Sequence, residues 1–350
     1  MAKPFELPES PRIVTFVDRD SAEDGLVHLP YLRALRHGFP SGQLTWLVGH
    51  GPSGFRGALA PLAAGLIDRL IDTVPLEGRF AELLNRPLRN DTFDLVIDGQ
   101  HRFVTAMVLK RIRSRHFLSA SAGYLLSDRK PVPRPAAPGS PTNSPTTSTV
   151  AGLLALLELA TGLPAKPAAP LALSPEVRAV ARALLPRGPS YVGLAPGAAD
   201  PALAWPVNEF VNIARVLDQN GTVPVFLLGP AEQHWHEPLG AAVPTARFPL
   251  QHPSVGALGG AAHLAIALTE RLGVTLANDG VFAHIAAAGG TPVVGLYGPT
   301  DPALAAPIAN RFIALRAQDY GGNETSLIPA SAVLQAIQKM LWSGARSRAS

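Results

Sequence analysis

Short β-rich runs recur along this chain with helix-like segments between them, and that rhythm restricts the fold more than any single motif. IVTFV at 13–17, LTWLV at 44–48 and FDLVID at 93–98 each lead into a helical pattern. YVGLAP at 191–196, VPVFLLG at 223–229, VTLAND at 274–279 and PVVGLYG at 292–298 supply further strands in the second half. Strands that alternate with helices make βαβ units, so the expected class is α/β with parallel sheets. Such sheets are buried on both faces, and a chain with 47% hydrophobic and 16% charged residues has the material for them. A length of 350 residues suits two such domains better than one core.

Boundaries follow from local composition. Residues 131–147, PVPRPAAPGSPTNSPTT, carry no apolar periodicity and read as a flexible Pro-rich insert. A helix is expected from Thr149 to Leu157, with a Pro-rich hinge at 164–170. The chain then divides into an N-terminal domain at 1–168, a C-terminal domain at 169–328, and a terminal helix and tail at 329–350. In the second domain Pro206 suits a first helical turn, Phe210, Ile213, Ala214 and Leu217 share one face, and Gly221 closes the helix. Val333, Ile337, Met340 and Leu341 mark the last amphipathic helix.

Charge and cysteine content exclude some chemistries. Lys plus Arg is 30 against 26 for Asp plus Glu, a net +4 that argues for no nucleic-acid partner but suits an anionic substrate or a lipid surface. With 0 cysteines, thiolate catalysis and disulfides are ruled out. The first residues, MAKPFELPES, resemble no leader, and the apolar stretch at 151–163 is broken by Glu158 and too short to span a bilayer. The expected location is cytoplasmic, with peripheral contact at the inner face of the membrane.

Ligands of open parallel sheets bind beyond the carboxyl ends of the strands. Four such places stand out. After the first strand, DRDSAEDG brings Asp24 to a helix start, as a general base or merely as a cap. LAPGAADPALAWP at 194–206 is a strand, a glycine turn at Gly197 and Ala198, and a helix entry whose N–H groups suit phosphate; an ordinary β-to-α connection looks the same. Glu232 in LLGPAEQHW follows a strand and suits ribose hydroxyls, or is a solvated first-turn glutamate. Least generic is 276–302, where Asp279 ends a strand, Gly280 follows, and His284 lies in the next helix near its positive end.

Asp24 with LVHLPYLRAL, DLVIDGQHR at 94–102, the PG and WP pairs of PGAADPALAWP, GPAE at 229–232, and ND, His284, AA, GTPVV and YGPTDP at 278–302 stand in a specific order. Together, from Ile13 to Asn310 and apart from the insert, they resemble glycosyltransferase family 9, the lipopolysaccharide heptosyltransferases. The resemblance implies a GT-B fold, two Rossmann-like domains facing a central cleft, with acceptor on the N-terminal side and nucleotide sugar on the C-terminal side. It implies an inverting, metal-independent transfer of a heptose-like sugar, with no cofactor, from a nucleotide-diphosphate sugar, ADP-sugar favoured, to a surface glycolipid or glycan. Asp24 is then the base, Gly197, Ala198, Glu232, Asp279, Gly280 and His284 bind the donor, and His28, Gln100 and Arg102 lie on the acceptor side.

The chain departs from the family pattern at several points. Ala198, Ala199 and Leu203 stand where hydroxyl residues and a cation are usual, Gly280 and Val281 replace Ser/Thr then Gly, and Glu23 replaces a glycine. Such losses keep open a degenerate GT-B protein that binds glycan or nucleotide without turnover, and a nucleotide-sugar epimerase is a further alternative. Gly49, Gly51 and Gly54 outline a dinucleotide fingerprint with Asp68 and Asp72 downstream, but in the second β-α unit. Lys110, Arg111, Arg113 and Arg115 face anionic lipid or end a solvated helix.

Overall fold

The computed structural model of the chain describes residues 4–72, 74, 76, 79–84, 86–131, 149–167, 171–198, 200, 204–253, 255 and 261–347. The Pro-rich insert at 131–147 therefore lies outside the described residues, apart from Pro131, as do Ala199, Leu203 and part of the hinge at 164–170. Two compact units result, Met1–Ala172 and Leu173–Ser350.

The first unit contains β1 (Arg12–Arg19), α1 (Ala22–Gly38), β2 (Gln43–His50), α2 (Ala60–Ala63), β3 (Arg69–Ile71), β4 (Thr92–Asp98), α3 (Phe103–Leu109), β5 (Arg113–Ser119) and α4 (Thr149–Thr161). Its strands are all parallel in the order β3-β2-β1-β4-β5. That is the doubly wound order, with a switch point between β1 and β4. Val14, Phe16, Leu47, Phe93 and Val96 form one apolar cluster with Val108 and Phe117. On α1, Pro30 lies inside the helix, so no amide is available there to bond the Leu26 carbonyl four residues back.

The second unit contains α5 (Pro175–Leu184), β6 (Ser190–Ala195), α6 (Val207–Gln219), β7 (Thr222–Phe226), α7 (His236–Ala242), α8 (Ala261–Thr269), β8 (Val274–Asn278), α9 (Val281–Ala288), β9 (Val293–Tyr297), α10 (Pro302–Ala305), β10 (Phe312–Arg316) and α11 (Ala330–Ser347). The parallel order is β10-β9-β8-β6-β7, and a parallel bridge, Val225 to Arg247, occupies the place of a sixth strand beside β7. The switch point here falls between β6 and β8. Phe210, Ile213, Ala214 and Leu217 bury the predicted face of α6, and Gly221 at φ +72° lets the chain turn after it. Val333, Ile337 and Met340 of α11 join the same core, so the last helix packs on the body of this unit.

Among the described residues no helix is long and apolar enough to cross a membrane.

Candidate functional site

In the first unit the switch point is walled by acids. Ser21 caps α1, with Asp24 at the third helical position in a capping box: Asp24 N–H donates to Ser21 Oγ at 3.3 Å and Ser21 N–H to Asp24 Oδ2 at 3.3 Å. Ser21 Oγ also donates to Asp24 Oδ2, at 2.8 Å. The Asp24 carboxylate thus sits, half-buried, at the positive end of α1. The cap and the candidate base are the same side chain.

Beneath that turn lies Asp20, fully buried, whose Oδ2 accepts from Trp46 Nε1 at 2.9 Å and Ser53 Oγ at 2.5 Å. At the end of β4, Asp98 is buried as well; it accepts from the Gln100 amide at 2.9 Å and Ser119 Oγ at 2.8 Å. Burial pushes the Asp98 carboxyl up to about 7, against the pull of those two donors. Arg102, exposed, occupies the N-cap of α3 just beyond. Gln100 and Arg102 therefore follow β4, next to the strand that leads to Asp24. His28 does not lie on that surface. Its ring is buried edge-on to Trp46 at 5.6 Å, with Nδ1 3.5 Å from Asp20 Oδ1.

Gly49 and Gly54 are packing positions, whereas Gly51 at φ +70° only turns the chain. A methyl on Gly54 would lie 2.7 Å from the Ser21 carbonyl and 2.8 Å from Ala22 Cα, and one on Gly49 3.0 Å from Phe16 Cζ. The loop opens a single 3-10 turn, Gly54–Arg56, instead of a helix whose amides could hold a pyrophosphate. Asp72 bonds Arg56 through both oxygens, at 2.7 and 2.8 Å, and Asp68 bonds Arg36 at 2.7 Å. The fingerprint is spent on holding α1. Arg113 and Arg115 belong to edge strand β5 and not to a helix end, Arg115 pairs with Asp94 at 3.2 Å, and Lys110 with Asp128 at 2.6 Å.

In the second unit the switch point is closed by an amide. Buried Asn278, at the end of β8, accepts from the Trp205 amide at 2.9 Å and donates to the Pro196 carbonyl at 2.7 Å, tying the loop after β6 to β8. Trp205 is itself buried and donates its indole N–H to Ile328 O at 3.0 Å, so the Trp of the WP pair plugs the core while Pro206 is exposed. Around this clamp four of the predicted donor residues converge. A methyl on Gly197 would stand 2.6 Å from Glu232 Cδ, and one on Gly280 3.8 Å from Gly197 O and 3.9 Å from Ala198 Cα. Glu232 Oε2 accepts from the Gly229 amide at 2.9 Å. The carboxylate is thereby held across the ends of β6 and β7, while Gly280, as N-cap of α9, lies beside the same turn.

Asp279 and His284 face a second partner, the loop after β9. Asp279 takes a hydrogen bond from Thr300, and burial raises its carboxyl above the usual range in spite of it. His284, half-buried, is lowered to about 4 by burial, only partly offset by its hydrogen bond to the Ala305 carbonyl, so it is neutral at pH 7. A neutral imidazole gives a hydrogen bond but no charge. Asp20, Asp98 and Asn278 had no assigned role in the sequence, although their places at strand ends are the signal that singles them out.

The sequence model of glycosyltransferase family 9 (heptosyltransferase) matches residues 82–327. Lipooligosaccharide heptosyltransferase 2 of Haemophilus influenzae is 32% identical over 128 residues, 36% of this chain and 36% of that protein. Lipopolysaccharide heptosyltransferase 3 of Escherichia coli is 30% identical over 167 residues, 44% of this chain and 48% of that protein. The chain thus aligns with less than half of the length of these relatives. Among solved structures, a glycosyltransferase family 9 protein of Veillonella parvula superposes with TM-score 0.65 at 20% identity, covering 95% of this chain and 97% of that one. E. coli heptosyltransferase WaaC with ADP gives 0.62 at 19% identity, with 94% and 99% covered. These likenesses establish the GT-B fold, two Rossmann-like domains each built on five parallel strands. With most of its length under the family model and its fold shared with solved members, the chain belongs to glycosyltransferase family 9.

Proposed function

We propose that the protein transfers a heptose-like sugar from a nucleotide-diphosphate sugar to a hydroxyl of a surface glycolipid or related glycan, with inversion and without a metal. The observation that carries this reading is that each unit holds its own site at its strand ends. One is a helix-capping carboxylate, Asp24, and the other is the cradle of Gly197, Ala198, Glu232 and Gly280 beside the Asn278 clamp.

Asp24 accepts the proton of the acceptor hydroxyl as its oxygen attacks the anomeric carbon. The nucleoside diphosphate leaves from the opposite side, and in-line displacement inverts that carbon. Glu232, fixed through Oε2, turns its remaining oxygen toward ribose hydroxyls. The first turn of α9 offers unpaired amides to the diphosphate as negative charge builds on it. Asp279, already raised by burial, rises further beside that charge. ADP is the favoured nucleotide, since WaaC was solved with ADP and with ADP-2-deoxy-2-fluoro heptose. Gln100 and Arg102 line the acceptor side, and a lipid-borne acceptor brings the protein to the inner face of the membrane.

The test is mass-spectrometric: a panel of nucleotide sugars and core-glycan acceptors is incubated with wild type and Asp24→Asn. A mass gain of one sugar that needs Asp24 supports the proposal, and full activity in the variant sinks it. A second reading, binding without turnover, is favoured by the absence of a cation among the named donor residues, with His284 neutral. Calorimetric donor binding with no product in any acceptor pairing would select it.

A further inference from the structure

Asp20 and His28 form a buried polar pair that the proposed reaction does not touch. Asp20 Oδ1 and His28 Nδ1 are 3.5 Å apart, both buried, and neither has a hydrogen-bond partner. Unpaired buried atoms are costly, so a pair that faces each other at this range calls for an explanation. We infer that Asp20 and His28 are positioning residues for Asp24, bracing the first turn of α1 from below so that its carboxylate meets the acceptor hydroxyl in one geometry. The inference rests on the reading of Asp24 as the base.

Asp20 is fixed by elements other than α1. Its Oδ2 holds the Trp46 indole and the Ser53 hydroxyl, and its carbonyl accepts from the Gly54 amide at 2.5 Å. The first turn of α1 rests directly on it, for a methyl on Gly25 would lie 3.2 Å from Asp20 Oδ1 and 2.6 Å from Leu59 Cδ1. His28 stands four residues after Asp24, one turn along the same helix face. The Nδ1–H tautomer of His28 is the donor this pair requires. A shift of a few tenths of an ångström closes the contact to ordinary hydrogen-bond length.

Pro30 gives the brace its purpose. With no amide at Pro30, the Leu26 carbonyl lacks its helical partner, so the ladder is one bond short just beyond the turn that carries Asp24. The bracket therefore has one leg at Ser21, through the capping box, and the other at His28, through Asp20. Removing the second leg leaves the cap in place but widens the range of positions of the carboxylate. Misplacement of about 1 Å at a reacting group costs on the order of 100-fold in rate.

The experiment measures transfer kinetics and amide exchange for wild type, His28→Leu, His28→Asn, Asp24→Asn and the Asp24→Asn/His28→Leu double variant. The inference expects kcat of His28→Leu to fall about 10- to 100-fold with donor KM unchanged. It also expects faster exchange at residues 24–27, and recovery of most of the rate in His28→Asn, whose amide reaches the place of Nδ1. In the Asp24→Asn background His28→Leu should have no further effect, since the brace then positions nothing. A folded His28→Leu with wild-type kcat and exchange overturns the inference while leaving the base intact, as does an undiminished fall in the Asp24→Asn background. An active Asp24→Asn overturns the base reading and the brace with it. Should His28→Leu not fold, Asp20→Asn supplies the comparison, its kcat expected below that of His28→Asn, with wild-type kcat and exchange in Asp20→Asn as the overturning result.

Discussion

The two sheets share a winding scheme, yet the groups at their switch points differ in kind. At the ends of β1 and β4 stand buried carboxylates, Asp20 and Asp98, the first of them under the helix turn that carries Asp24. Between β6 and β8 stands an amide, Asn278, among glycines and below the first turn of α9. An amide and free N–H groups do not repel a departing diphosphate, and Asp279 next to Asn278 is pushed by burial toward its neutral form. Carboxylates are suited to the other task, taking a proton. On the proposed reading, one topology serves opposite chemistry through a few residues at strand ends.

The largest effect that would break this contrast is at the acid side. Asp24→Asn should lower kcat by about 10²- to 10⁴-fold, the usual share of a general base, while Ser21 still caps the helix and the unfolding midpoint moves little. Steady-state transfer assays and denaturant unfolding decide it.

Next comes pH, where the two units should respond with opposite sign. The folded value of Asp98, about 7, exceeds its unfolded value, so its protonated form stabilises the fold at low pH and that contribution disappears as pH rises through 7. At 1.36 kcal/mol per unit the span is on the order of 4 kcal/mol. His284 lies below its ordinary 6.5, so the second unit loses stability as pH falls from 6.5 toward 4. Hydrogen exchange resolved by unit at pH 5 and pH 8 reads both slopes. Asp98→Asn should flatten the first and His284→Gln the second; parallel slopes in the two units would erase the contrast.

A smaller effect sharpens the amide side. Asn278→Ala leaves the Trp205 amide and the Pro196 carbonyl unpaired and should cost about 2–3 kcal/mol in urea unfolding. The smallest is local. Gly197→Ala places a methyl 2.6 Å from Glu232 Cδ, and should weaken donor binding about tenfold with kcat less affected, as measured by calorimetry.

Much of this architecture was legible in the sequence, and what escaped has a common cause. Runs such as IVTFV and VTLAND belong to interior strands, whose two buried faces leave continuous apolar text. The strands without a signal, β3, β5 and β10, all lie at sheet edges. Edges carry charge to discourage further pairing, and RSRHFLS at 113–119 accordingly read as a basic cluster. At the site, Glu232, Gly197 and Gly280 were recognisable because glycine and strand-end acids leave a local trace. Asp20 and His28 were not paired in that way, because their meeting depends on a helix turn resting on a strand end and on Trp46 from the neighbouring strand.

The seating of Gly54 on Ser21 and Ala22 makes the loops after β1 and β2 a matched set. Neither is an independent module. A chimera that grafts residues 20–25 from a relative must bring 49–57 with it, and a loop library built at either segment alone will be filtered by the fit of the other before any question of substrate arises.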